Sequence, residues 1–67
     1  MTEYRIVVNG RLSERFADAF DGLALEPNGE TTSIVGSIAD QSHLFGVLER
    51  IRSLGLELMR VEELTQS

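Results

Sequence analysis

Hydrophobic residues recur every three or four positions between residues 40 and 54, the most regular pattern in the chain. One side of a helix with 3.6 residues per turn would carry Leu44, Val47, Leu48, Ile51 and Leu54. Asp40 is the expected N-cap and Ser42 the alternative, because their side-chain oxygens can accept hydrogen bonds from the first turn. Gly55 is expected to end the helix in the left-handed region, with Leu56 folding back on Ile51. The next residues, LELMRV, form a strand candidate.

Alternating β-branched and polar residues predict three further strands. They are Tyr4 to Asn9, Leu23 to Glu26, and Thr31 to Ile38. Pro27-Asn28-Gly29 separates the last two, and Asn-Gly after a strand is a strong hairpin signal since both residues tolerate positive φ. Gly36, in the middle of a strand, predicts either a bulge or the close approach of an aromatic ring such as Phe20.

A shorter apolar stripe predicts a helix between the first two strands. Ser13 can cap the segment SERFADAF, whose Phe16, Ala17 and Phe20 would lie on one side, and Gly22 is its expected end. The order of elements is then β-α-β-β-α-β. This order predicts an α+β fold, the ferredoxin-like sandwich, with a four-stranded antiparallel sheet in the order 4-1-3-2 and both helices on one face.

One domain is expected over residues 1–67, with residues 64–67 as a flexible tail. The predicted core consists of Tyr4, Ile6, Val8, Phe16, Phe20, Leu23, Leu25, Ile34, Ile38, Leu44, Leu48, Ile51, Leu56 and Leu58.

Two helices on one side of the sheet leave its other side open, and the alternation places several apolar residues there. They are Val7, Ala24, Val35, Met59 and Val61, among Arg5, Thr31, Ser33, Glu57 and Glu63. Scattered surface hydrophobics are one interpretation. A two-fold homodimer is another, formed face to face or edge to edge through strand four, with Arg5, Val7, Val35, Met59 and Val61 at its interface. A partner protein or a small apolar ligand is the third. A register slip of one residue would exchange the two faces.

Size and charge narrow the function classes. A chain of 67 residues buries only about 60 % of its unfolded surface, and oligomerisation is a common way to stabilise so small a core. The sequence has no cysteine, which excludes disulfides and thiolate metal sites. Its net charge of −5 opposes binding to nucleic acid or an anionic membrane. No basic leader or apolar run long enough for a bilayer is present, so a cytoplasmic location is predicted.

No arrangement of reactive residues predicts catalysis. His43 is the sole histidine, and no second metal ligand stands three or four residues from it. The acidic pairs, Asp18 with Asp21 and Glu62 with Glu63, are better explained as solvated charge than as an acid and base pair. We therefore expect a protein that is not an enzyme and has no catalytic residue, metal or cofactor.

The run DQSHLFGVLERIRSLGLELMRV resembles a set of small bacterial proteins common in actinobacteria, which share the pattern ADQ-hLhGhLxRIRxLGLxLhxV. The likeness covers Ala39 to Val61, and GRLSERFADAFDGL is similar to their first half. The function of that set is unassigned, so the resemblance implies no site residue.

A helix that ends in LGL and precedes a strand is also similar to the second half of ACT-type regulatory domains. Those domains bind amino acids at subunit interfaces, near a glycine-containing turn after their first strand. The resemblance implies a ligand site at Asn9, Gly10 and Arg11.

Three hypotheses follow. The first is a non-enzymatic interaction or regulatory module that forms a homodimer through its sheet. The second is an ACT-like sensor of an amino acid or similar small ligand. The third is an enzyme, or an accessory subunit of one, using a dimer cleft with Arg5 and His43.

Overall fold

The strands and helix follow the predicted order, with boundaries shifted by a few residues. The computed structural model describes residues 2–20 and 22–64. Within these residues the elements are β1 (Thr2–Asn9), a 3-10 segment (Glu14–Phe20), β2 (Ala24–Asn28), β3 (Thr31–Ile38), α1 (Gln41–Ser53) and β4 (Glu57–Glu63). The fold class, α+β, is confirmed.

The described strands form a four-stranded antiparallel sheet in the order β2-β3-β1-β4. The predicted order 4-1-3-2 names the same neighbours counted from the β4 edge. β1 and β3 lie at the centre, and β2 and β4 form the two edges. The β2-β3 hairpin is present, although its two turn residues are Gly29 and Glu30, since Asn28 pairs with Thr31. Gly29 has a φ of 66°, as a tight hairpin turn requires.

The prediction of two α-helices is wrong for the first helix. Residues 14–20 form a 3-10 segment, and the Phe16 N–H donates to the Ser13 carbonyl oxygen, three residues back, at 3.0 Å. A 3-10 turn contains three residues rather than 3.6. Ala19 therefore packs against the core beside Phe16, while Ala17, which the helical spacing had placed there, is exposed.

The core lies between one face of the sheet and the covering α1 and 3-10 segment. It consists of Ile6, Val8, Phe20, Ile34, Ile38, Val47 and Ile51. The other predicted core residues are half-buried around this cluster, except Leu58. Leu58 was predicted to be buried and is 45 % exposed, because it lies on edge strand β4.

A β-bulge in β4 corrects the predicted assignment of its faces. The register between β1 and β4 pairs Val8 with Leu58 and Ile6 with Val61, and it shifts between Val7 and Val8, so that Met59 is the extra residue. Directly opposed residues share a face of the sheet. Val61 therefore lies on the helix-covered side with Ile6, and Glu63 lies there with Tyr4. Both had been predicted on the open side.

The predicted tail from Leu64 to Ser67 differs at its first residue. Leu64 is half-buried, and its N–H donates to the Glu3 carbonyl oxygen at 2.7 Å. Residues 65–67 lie outside the described residues.

Gly36 allows close packing, but its neighbour is not the predicted ring of Phe20. A Cβ at this position would overlap the Leu23 side chain and would lie 3.2 Å from the Gly22 carbonyl oxygen. We expect Gly36→Ala to lower the free energy of unfolding by about 1–3 kcal/mol, the usual cost of overpacking. Gly46→Ala is the matched control, because a Cβ there meets nothing within 4 Å and alanine favours the helix by about 1 kcal/mol. Urea denaturation of both variants measures the difference, and equal midpoints would contradict this packing.

Candidate functional site

An apolar groove runs between α1 and the edge strand β4. It has a volume of about 690 Å³ and is lined by Phe45, Leu48, Glu49, Ile51, Arg52, Gly55, Leu56 and Leu58. Phe45 is 60 % exposed and Leu58 is 45 % exposed. Among the described residues these are two of the largest apolar side chains left in solvent, and both line this groove. We call the groove, together with β4, the α1/β4 margin.

Phe45 faces the groove because of how α1 begins. Asp40 caps the helix, and its Oδ1 accepts the His43 N–H at 2.9 Å. This start directs Val47 and Ile51 into the core. Phe45 lies to one side of that buried stripe, so its ring remains beside the core rather than within it.

The turn after α1 lines part of the groove through Gly55 and Leu56. The Gly55 N–H donates to the Arg52 carbonyl oxygen at 3.0 Å, and the Leu56 N–H donates to the Ile51 carbonyl oxygen at 3.1 Å. These two bonds, with a φ of 77° at Gly55, define a Schellman motif. The predicted glycine stop is confirmed, and the return of Leu56 to Ile51 brings β4 beside the helix.

β4 is an edge strand of the sheet, and its Leu58 lines the groove. Among the described residues β1 is its one neighbouring strand. The Leu64 N–H points to β1. In an antiparallel strand, the N–H and C=O groups of every second residue point to one neighbouring strand, and those of the residues between them point away from it. Because the Leu64 N–H points to β1, the N–H and C=O groups of Val61 and Glu63 point away from β1. Such groups can pair with another strand.

The open face of the sheet is more polar than the sequence predicted. Val7, at its centre, is only 9 % exposed, and Val35 is half-buried. Arg5 and Arg60 instead border a shallow cavity of about 360 Å³ on this face. The predicted interface residues Arg5, Val7 and Val35 therefore lie on this face, whereas Val61 lies on the other side. Met59 is exposed at the bulge.

The predicted ligand residues after β1 form a structural turn. The Gly10 N–H donates to the Glu30 carbonyl oxygen at 2.7 Å. The buried Thr32 hydroxyl donates to the Gly10 carbonyl oxygen at 2.8 Å and accepts the Leu12 N–H at 3.1 Å. Asn9 donates to Glu57 Oε1 at 3.0 Å on the surface. Asn9, Gly10 and Arg11 are absent from the lining of the α1/β4 groove and of the open-face cavity.

His43 has a structural role in the N-cap of α1. Its Nδ1 accepts the Ala39 N–H at 3.0 Å, so this ring nitrogen is occupied by the backbone. Within residues 2–20 and 22–64, no group of three histidine, cysteine, aspartate or glutamate side chains could hold a metal ion. Asp21, one of the acidic residues considered from the sequence, lies outside those ranges.

Sequence reasoning missed Phe45. The helical stripe accounts for the core residues around it, and Phe45 was left out because it falls off that stripe. A large aromatic residue at a position expected to be polar was the available signal.

In the part of the chain that the structure describes, no helix has the length and hydrophobicity needed to span a membrane.

Comparison with known proteins identifies a family. Residues 3–62 match the family model described as Domain of unknown function (DUF8691), which covers β1 through most of β4. The chain belongs to this family. No curated protein and no solved structure matches it. The DUF8691 match thus covers both sides of the α1/β4 groove, and the family description assigns neither of them a role.

The Thr32 bonds yield a test of the turn after β1. We expect Thr32→Val to lower the free energy of unfolding by about 1–3 kcal/mol, because the part-buried Leu12 N–H and Gly10 carbonyl oxygen lose their partner. Thr32→Ser keeps the hydroxyl and serves as the control for its loss. Urea denaturation gives both values. A valine variant no less stable than the serine variant would show that the hydroxyl does not hold the turn.

Proposed function

We propose that this domain is a non-enzymatic interaction module that forms a homodimer through its α1/β4 margin. One observation supports the proposal most strongly: Phe45 and Leu58 border an apolar groove next to the edge of β4 that pairs with no other described strand. An exposed edge favours strand addition, and adjacent apolar side chains add buried surface to it. The connectivity of the chain also supports a ferredoxin-like sandwich, in which the 3-10 segment takes the place of the first helix.

A second copy is the favoured partner for two reasons. A chain of 67 residues has a small core, and burial of exposed apolar side chains in a dimer would add to its stability. A two-fold axis also brings the same edge of two copies together in antiparallel orientation. The polar open face favours this edge-to-edge arrangement over the face-to-face one that the sequence left open.

The α1/β4 margin can be tested by placing a charge in it. We expect Leu58→Glu to weaken the dimer at least about tenfold, because a carboxylate would be buried without a partner. Phe45→Ser should also weaken it by removing the most exposed aromatic ring. Light scattering and sedimentation at micromolar protein measure the dissociation constant, with each variant first checked by circular dichroism.

Ala24→Glu is the matched control for these variants. Ala24 is exposed on β2, the opposite edge of the sheet, so the same charge there should leave the dimer intact. A monomer of 7.4 kDa for the unsubstituted protein, or equal weakening by Ala24→Glu and Leu58→Glu, would overturn the proposal.

A second candidate function is the binding of a small carboxylate on the open face. The cavity there is lined by Val7, by the cationic Arg5 and Arg60, and by Ser33 and the acidic Glu26. Among the described residues, Arg5 makes no hydrogen bond or ion pair to another side chain. Arginine suits a carboxylate because its guanidinium can donate two parallel hydrogen bonds. This candidate retains the small-ligand hypothesis and moves its site away from the turn after β1.

Thermal melting distinguishes the two possible ligand sites. A ligand at 100 times its dissociation constant stabilises the native state by about 2.7 kcal/mol. We expect amino acids or small dicarboxylates at millimolar concentration to raise the melting temperature. Arg5→Gln should abolish the shift, while Arg11→Gln should keep it. If Arg11→Gln abolished the shift and Arg5→Gln kept it, the ligand site would lie at the turn after β1. If none of these ligands raised the melting temperature, both sites would be rejected.

A further inference from the structure

The order of charges along β4 is self-complementary. Arg60, Val61 and Glu62 are consecutive, and in the register with β1 both charged residues lie on the open side while Val61 lies on the helix side. When two copies of such a strand run antiparallel around Val61, each arginine comes opposite a glutamate. Building on the proposed homodimer, we infer that its two-fold axis passes through the Val61 pair.

The backbone at Val61 suits this axis. Its N–H and C=O groups point away from β1, as the bond from the Leu64 N–H to the Glu3 carbonyl oxygen requires. Two Val61 residues can therefore exchange both hydrogen bonds across the axis. Arg60, Val61 and Glu62 lie beyond the bulge, so the strand is regular at the three residues that pair with each other around the axis.

Charge excludes the other axis positions in this regular part of β4. In a continuous sheet, directly opposed residues lie on the same face. A two-fold axis perpendicular to that sheet therefore places one residue of β4 directly opposite the same residue of the other copy. At Arg60 this gives two opposed arginines. At Glu62 or Glu63 it gives two opposed glutamates. Like charges directly opposite destabilise strand pairing. Val61 is the one uncharged residue among the four.

An axis at Val61 also joins the apolar parts of the two copies. Val61 is 38 % exposed and lies on the same side of the sheet as Leu58 and the groove. The two sheets would form one sheet with both α1 helices on the same side. Arg60 is available for this contact, since its Nε lies a long 3.9 Å from Glu62 Oε2 of its own copy. Each Arg60 would then pair with Glu62 of the other copy.

Single cysteines test this register directly, because the chain contains none. In Val61→Cys the two Cα atoms would lie about 5.5 Å apart across a hydrogen-bonded pair, within disulfide range. In Glu57→Cys, the control at an exposed position of the same strand, they would be separated by eight residue steps, or about 26 Å. Mild oxidation should crosslink Val61→Cys rapidly and Glu57→Cys only at the rate of random collision. Equal rates would overturn the register.

Charge reversal gives an independent test. Arg60→Glu would place glutamates opposite each other, and Glu62→Arg would place arginines opposite each other. We expect each variant alone to dimerise at least about tenfold more weakly than the unsubstituted protein. An equimolar mixture should form a heterodimer, because both contacts then join opposite charges. Circular dichroism checks folding, which matters for Glu62→Arg since position 62 lies opposite Arg5.

The outcomes separate the register from the proposed function. A dimer that Leu58→Glu disrupts, but whose charge variants do not recover on mixing, would keep the α1/β4 margin and remove the Val61 axis. A monomeric unsubstituted protein would remove both. If Glu62→Arg does not fold, the rate of the Val61→Cys crosslink relative to Glu57→Cys decides.

Discussion

One helix has to cover most of a four-stranded sheet, and its width is not sufficient. The outer strands of such a sheet lie about 14 Å apart, from three steps of about 4.8 Å, whereas a helix with its side chains is about 10–12 Å wide. The 3-10 segment covers the β2 side, with Phe20 buried in the core. The helix α1 packs against β3 and β4, but it leaves a groove between its own side chains and Leu58 of β4. The incomplete cover explains why Leu58 is exposed and why a groove lies beside it.

The bulge in β4 determines which residues share that groove. Without Met59 as an extra residue, the alternation that starts at Leu58 would place Val61 on the open face and Arg60 under the helix. With it, Leu58 and Val61 both lie on the helix side. An insertion of one residue thus places the apolar Leu58 and Val61 on one side of the strand and the charged Arg60 and Glu62 on the other. Bulges frequently serve to redirect a side chain near the edge of a sheet.

The sequence predicted the features that depend on local chemistry. The Asp40 cap, the Gly55 stop and the hairpin before Thr31 each depend on a few neighbouring residues, and the structure contains all three. The register of β4 could not be predicted, because a bulge depends on pairing with β1, which is some fifty residues away in the chain. The predicted face of Val61 was wrong for that reason. The 3-10 segment was missed because a segment of seven residues is only about two turns long, too short for its apolar spacing to separate a period of 3.0 from one of 3.6.

The candidate site was also predicted only in part. An apolar surface on β4 was expected, and Met59 and Val61 are exposed there. The contribution of Phe45 to the groove was not expected. This residue lies outside the apolar stripe of α1 that was predicted to face the core, so it was taken as part of the solvent-exposed side of the helix. The polar open face was also missed. The long side chains of Arg5 and Arg60 line the same cavity as Val7. The alternation of apolar and polar residues predicts which face a residue lies on, but it does not predict that a long polar side chain covers an apolar neighbour.

The central position of β1 has a consequence for biosynthesis. Its partners are β3 and β4, so the first of these four strands to be translated pairs with the last of the four. The β2-β3 hairpin can form from local contacts, but one edge of β1 stays unpaired until Glu57–Glu63 are available. Pairings between distant residues slow folding, and an unpaired strand edge promotes aggregation while it persists. A chain that ends before β4 would keep the β-branched run Ile6-Val7-Val8 beside an open edge and would be a substrate for chaperones or proteases.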